Sequence, residues 1–185
     1  SNGITNLGNE AITLDDTSLA VATLNTLDGN TSGAVNAGTI TTLTGTAAHL
    51  VTAYASNGIT GLGNEAVTVN SGTASVSQAN TLASDTTGVV TASITEGDLS
   101  TLKTLTETSN LYTITISDST AAVADLNTVD GVTSTAINAS AITVLTGAAS
   151  AMNTAYASSG ISGLGNEAIT LDDTSLAVAT LNTLD

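Results

Sequence analysis

Seven aspartates fall where turns are expected: Asp15 and Asp16, Asp28, Asp118, Asp130, and Asp172 and Asp173. Carboxylates presented together with turn carbonyls suit a hard cation such as calcium. The glycine-and-aspartate nonapeptide of calcium β-rolls and the EF-hand loop are both missing, however. The same aspartates are therefore read first as helix caps and as charges placed near helix N-termini, with weak, distributed cation screening. Glu10, Glu65 and Glu167 recur in a GNEA segment. Paired carboxylates can do acid–base work, but these have no partner base and no unique pocket, so a structural role between loop and strand is expected. His49 is the single histidine, and its counterpart in the later copy is not a histidine. There is no Cys nucleophile, no Ser-His-Asp arrangement and no zinc cluster, and GLGNE and LTG are too short for phosphate loops. The expectation is a chain that is not an enzyme, with calcium the one cofactor weighed.

Asn25, Asn80, Asn127 and Asn182 stand at one register towards the ends of helix-like segments. They fit a polar ligand row or, preferably, internal amides that bond backbone groups left open where helix meets turn.

The elements that must position these residues are set by repetition. Residues 1–28 and 158–185 differ at three positions, at an offset of 157. A middle copy, SNGITGLGNEAVTV, starts at Ser56. A second family reads LNTLDGNTSGAVNAGTIT from Leu24 and LNTVDGVTSTAINASAIT from Leu126, at an offset of 102. Short β-rich runs lie at 11–14, 34–37, 66–69, 89–92, 113–116, 136–139 and 168–171. Their centres, at positions 13, 36, 68, 91, 115, 138 and 170, stand at intervals of 23, 32, 23, 24, 23 and 32. The extra length of the longer intervals reads as Gly- and Asn-rich loops beginning at Tyr54 and Tyr156.

Within each run the pattern alternates as in a strand. Ile12, Val35, Val67, Val90, Ile114, Ile137 and Ile169 are expected to form one buried ladder, while Thr13, Asn36, Thr68, Thr91, Thr115, Asn138 and Thr170 face away. A regular Thr row also suits an ice-binding face, but Asn36 and Asn138 interrupt it and Thr favours strands anyway. Between strands, Val21, Leu24 and Leu27, then Val123, Leu126 and Val129, fall on one helical face. Asp16, Thr17 and Ser18 are capping candidates for a helix over 19–28, with Gly29 and Gly131 as stops. One strand and one short helix per coil, with coils recurring at intervals of 23–24 or 32, predicts an α/β solenoid with seven strands in one parallel sheet. Residues 1–185 would form one continuous segment of it, with the period of 157 restarting at 158.

Composition narrows the function. Sixteen acidic residues against one basic residue give a formal charge of −15. Such a surface repels phosphate backbones and anionic lipid, so no nucleic-acid partner is expected. Hydrophobic residues make up 41% of the chain, which argues for a packed core despite the acidity. No apolar run is long enough for membrane insertion, and zero Cys excludes a disulfide framework. A single Lys and no Arg leave trypsin-like proteases one cleavage residue. The chain opens on Ser and shows no signal peptide. It is expected to be an interior piece of something longer.

The composite motif LNTLDGNTSG…ITTLTGTAA…TAYASxGIxGLGNEAxTL resembles the repeats of giant repetitive surface or secreted proteins of marine cyanobacteria. Similar tracts occur in adhesin-like and phage-encoded repeat proteins. The resemblance implies an extracellular or cell-surface location and a rod, spacer or matrix role, and it transfers no catalytic residue. Expected partners are neighbouring coils of the same array or identical chains head to tail, because neither end carries a polar capping repeat. The alternative is the shaft of an adhesin or tail-fibre-like binding protein whose ligand site lies outside this segment.

Overall fold

The structure is a computed structural model and describes residues 8–184. The chain divides into two compact units, Ser1–Ser93 and Ile94–Asp185. The first unit runs β1 (Ile12–Thr13), β2 (Ser18–Ala20), α1 (Val21–Asn30), β3 (Val35–Asn36), β4 (Thr42–Gly45), α2 (Ala47–Ala55), β5 (Ile59–Thr60), β6 (Ala66–Val69), α3 (Val76–Asp85) and β7 (Val90–Ser93). The second runs α4 (Leu99–Leu102), β8 (Leu111–Thr113), β9 (Thr120–Ala122), α5 (Val123–Asp130), β10 (Ile137–Asn138), β11 (Val144–Gly147), α6 (Ala149–Ala157), β12 (Ile161–Ser162), β13 (Ala168–Leu171) and α7 (Val178–Leu184).

Every strand pair with a described register is parallel, so each unit is an α/β arrangement of parallel sheets and helices. In the first unit β1, β3 and β5 form one sheet, and β2, β4, β6 and β7 follow one another in another. The first sheet pairs Ile12 with Val35 and Val35 with Ile59. The second joins Leu19, Leu43, Val67 and Val90. Each strand thus pairs with the matching strand of the adjoining repeat. In the second unit β10 pairs with β12, and β9, β11 and β13 form a three-stranded sheet with Ala121, Leu145 and Ile169 in register.

This corrects the expected single sheet of seven strands and the expected longer coils. The Gly-rich segment between Tyr54 and Glu65, read as a loop, contains β5, which continues the row of Ile12 and Val35. The run at 66–69 therefore belongs beside β4 and not beside β3. The one expected ladder is distributed accordingly. Ile12 and Val35 lie in one sheet, and Val67 and Val90 in another. Ile137 pairs with Ile161, and the backbone O of Ile114 accepts from Asn138 N–H. Ile169 pairs with Leu145. Val35, Val67, Val90, Ile114 and Ile137 are buried, whereas Ile12 is half-buried and Ile169 is 38% exposed. Both of the latter sit in strands that, among the described residues, have a neighbour on one side only. The alternation itself holds, for none of the residues Thr13, Asn36, Thr68, Thr91, Thr115, Asn138 and Thr170 is buried.

Helices carry the inner faces expected of their apolar spacing. Val21 and Leu24 of α1, Leu50 of α2, Leu82 of α3, and Val123, Leu126 and Val129 of α5 are all buried. Helices this short depend on that packing. The caps differ from expectation. Residues 18–20 are strand, so Asp16, Thr17 and Ser18 do not cap α1, which begins directly after β2 with Ala20 as its N-cap, and Gly29 lies inside it. Gly131 does close α5. Side-chain caps appear at Thr46 for α2 and at Ser75 for α3, where Gln78 completes a capping box. No helix among the described residues is long and apolar enough to cross a membrane.

Candidate functional site

The residues singled out by chemistry are engaged across the boundary between one repeat and the next. Asn25 lies in the middle of α1 and donates through Nδ2 to the backbone O of His49 in the first turn of α2, at 3.0 Å. Asn127 of α5 makes the same bond to Ala151 O of α6, also at 3.0 Å. The amides thus tie helix to helix and do not close the end of their own helix, which corrects the expected geometry. Asn182 is exposed on α7, and Asn80 is half-buried in α3. Sequence reading missed Asn153, whose Nδ2 donates to Thr180 O at 3.4 Å.

The aspartates behave similarly. Asp28 accepts from Ser56 Oγ and Asp130 from Ser158 Oγ, each at 2.7 Å, and each serine in turn accepts a backbone N–H, from Gly58 and Gly160 respectively. Asp118 accepts the N–H of Leu99, the first residue of α4, at 2.7 Å. Asp173 accepts the N–H of Ala149, the first residue of α6, at 2.8 Å. The N-cap of α6 is Ala148, without a side-chain bond, so an aspartate from the following repeat supplies the missing acceptor. The capping role was expected from sequence; its delivery from a neighbouring repeat was not. Asp15, Asp16 and Asp172 stand exposed in turns. Among the described residues no three His, Cys, Asp or Glu side chains come together as a metal site would need. The one ion pair among them is Lys103 to Asp125, at 2.9 Å on a partly exposed surface.

The recurrent glutamates form a clasp. Glu65 is fully buried, and its carboxylate accepts from Tyr54 Oη at 2.5 Å, from Gly63 N–H at 2.7 Å and from Asn64 N–H at 3.3 Å. A buried carboxylate without a cation is costly unless its lone pairs are filled, and these three donors fill them. Burial first, and the adjoining carboxylate second, push the Tyr54 phenol far above its ordinary value. Tyr156 and Glu167 repeat the clasp, with the phenol donating at 2.9 Å and Gly165 N–H reaching both carboxylate oxygens. Here burial, then Glu167, raise Tyr156 to about 12. Partial burial opposes ionisation of Glu167, but the bonds from Gly165, Tyr156 and nearby backbone outweigh it and hold its carboxyl below the ordinary range. Tyrosine and glutamate recurring together eleven residues apart was the sequence signal for this pair. Glu10 is exposed, with its carboxylate lying over Gly8.

His49 is exposed beside Ala22, Asn25 and Thr26, and its contribution is the carbonyl that Asn25 uses. Two hollows adjoin near the end of the second unit: Ile169, Leu171, Leu181, Asn182 and Leu184 line one, and Tyr156, Glu167 and Thr183 continue it. Compared with known protein families, with curated proteins and with solved structures, the chain matches none.

Proposed function

We propose that this chain is a structural segment of an α/β solenoid, acting as a rod, spacer or matrix element of a repetitive extracellular or surface protein. The observation that carries the reading is the use of the recurrent polar side chains. Asn25, Asp28, Asp118, Asn127, Asp130 and Asp173 all bond groups 19 to 28 residues away, in an adjoining repeat. Side chains that recur and face the neighbouring repeat serve stacking.

Stability in such an array is a sum of repeat and interface contributions, so it grows with length. A chain lengthened by a second copy of the segment 1–157 is expected to unfold at a higher denaturant concentration than the chain itself. An unchanged midpoint would mean independently folding beads and would sink the reading. Antibodies against the chain are further expected to label intact source cells from outside. Labelling that requires permeabilisation would remove the surface location.

A further inference from the structure

Three times in the structure a strand opening is covered by the same kind of segment from the following repeat. Over residues 8–12, Ser32 N–H bonds Gly8 O, Thr31 Oγ1 bonds Glu10 O and Ile12 N–H bonds Ala34 O. Over residues 63–67, Thr87 N–H bonds Gly63 O, Thr86 Oγ1 bonds Glu65 O and Val67 N–H bonds Val89 O. Over residues 110–114, Ser134 N–H bonds Asn110 O, Thr133 Oγ1 bonds Tyr112 O and Asn138 N–H bonds Ile114 O. A fourth opening, residues 165–169, repeats the GNEA sequence. Its strand β13 has β11 on one side and, among the described residues, no strand on the other.

The helix beside it is equally bare. Val21 and Leu24 of α1 are fully buried, while Val178 and Leu181, which occupy the same places in the near-identical copy, are 74% and 49% exposed. Asn25 bonds His49 O of α2, whereas its counterpart Asn182 is exposed.

We propose that residues 165–184 are an acceptor face for a further repeat unit, which adds a parallel strand along β13 and a helix along α7. The occupant is a segment opening Thr-(Ser/Thr)-Gly-x-Val, as residues 29–55 supply to residues 8–28. The glycine makes the face selective. A Cβ added at Gly33 would collide with the backbone O of Glu10, and one at Gly88 with that of Glu65. Neither carbonyl belongs to a flexible side chain, so both places demand glycine. Over residues 110–113, which lack the GNEA sequence, the corresponding position is Thr135. A GNEA face therefore accepts the unit with glycine and rejects the unit with threonine. This inference rests on the array reading above.

The test titrates the full chain with a labelled peptide of residues 29–55 and, in parallel, with the similarly uncharged peptide of residues 131–157. The first is expected to bind at least about tenfold more tightly, and Thr135→Gly in the second is expected to recover the difference. Hydrogen exchange should slow at the Ile169 and Leu171 amides, the counterparts of Ile12 and Leu14, whose N–H groups bond Ala34 O and Asn36 O. Ile169→Asp or Val178→Asp in the chain, both at exposed positions, should abolish binding without unfolding it. Absence of binding, equal binding of the two peptides, or binding indifferent to both substitutions overturns the acceptor face. Those outcomes leave the array reading standing if length still raises stability, whereas a midpoint blind to length sinks the array whatever the peptides do.

Discussion

The clasp of Tyr54 and Glu65 and the clasp of Tyr156 and Glu167 are built from almost the same words, and the two differ in what lies over them. Around the first, Val67, Val76, Ala79 and Leu82 are buried. Around the second, Ile169, Val178 and Leu181 are exposed and Leu184 is half-buried. Both clasps keep their phenol-to-carboxylate bond, so local sequence suffices to close the loop. Burial comes from elsewhere: residues 86–90 lie along the first clasp and supply the strand that makes Val67 interior. A residue's environment is here a property of the adjoining repeat, and matching positions acquire different environments from it.

Truncating a helix leucine in each place is expected to separate the two most strongly. Leu82→Ala removes a fully buried side chain and is expected to cost roughly 2–5 kcal/mol. Leu184→Ala, at a half-buried position, is expected to cost less than about 1 kcal/mol. Denaturant unfolding of the two variants measures both. Equal costs would show that cover by a neighbour does not set the energetics.

A smaller difference is expected at the carboxylates. Glu65→Gln leaves one oxygen where two accept from Tyr54, Gly63 and Asn64, so the half-buried Tyr54 hydroxyl is left without its carboxylate acceptor. The expected loss is about 1–3 kcal/mol. Glu167→Gln leaves a Tyr156 hydroxyl that water can reach, and is expected to cost less than about 1 kcal/mol. A Tyr54→Phe background should abolish most of the Glu65→Gln effect, because the unpaired phenol is then gone. A loss that persists in that background would assign it to the Gly63 and Asn64 bonds instead.

Alternation was the part of the fold most open to sequence reading. The pairs Ile12 and Thr13, Val35 and Asn36, and Val67 and Thr68 all divide between the more buried and the more exposed side as their types require. The helical faces of Val123, Leu126 and Val129 were equally plain. Sheet membership was hidden, because β1, β3 and β5 are two residues long and carry no periodicity of their own. GNEA runs at 8–11 and 63–66 then look equivalent while their strands belong to different sheets. The caps given by Asp118 and Asp173 were hidden for another reason. Donor and acceptor lie 19 and 24 residues apart, so no local spacing announces them. The clasp lay between these cases, since both its members recur and only their burial depended on the neighbour.

The smallest expected effect concerns pH and separates the second clasp from the general acidity of the chain. The Glu167 carboxyl is held below its ordinary value, so the folded state binds its proton less readily than the unfolded chain does. Its contribution to stability is complete above the ordinary glutamate value of about 4.3 and is lost as pH falls through the lowered folded value. Other carboxylates titrate in the same range, so the informative quantity is the difference between the parent chain and Glu167→Gln. The parent's advantage in denaturant midpoint is expected to hold from neutral pH down to about 4.3 and to close below it. A gap that stays constant into strong acid would mean the bonds from Tyr156 and Gly165 do not favour the ionised form. A gap that widens on acidification would reverse the sign and require a protonated Glu167 in the folded chain. Binding of the 29–55 peptide sharpens the same measurement. It would place over Glu167 the kind of segment that lies over Glu65, with a Thr hydroxyl on the backbone O of the glutamate, and carry the second clasp towards the environment of the first. The acid-dependent gap should then change only in the presence of peptide, and Ile169→Asp should cancel that change.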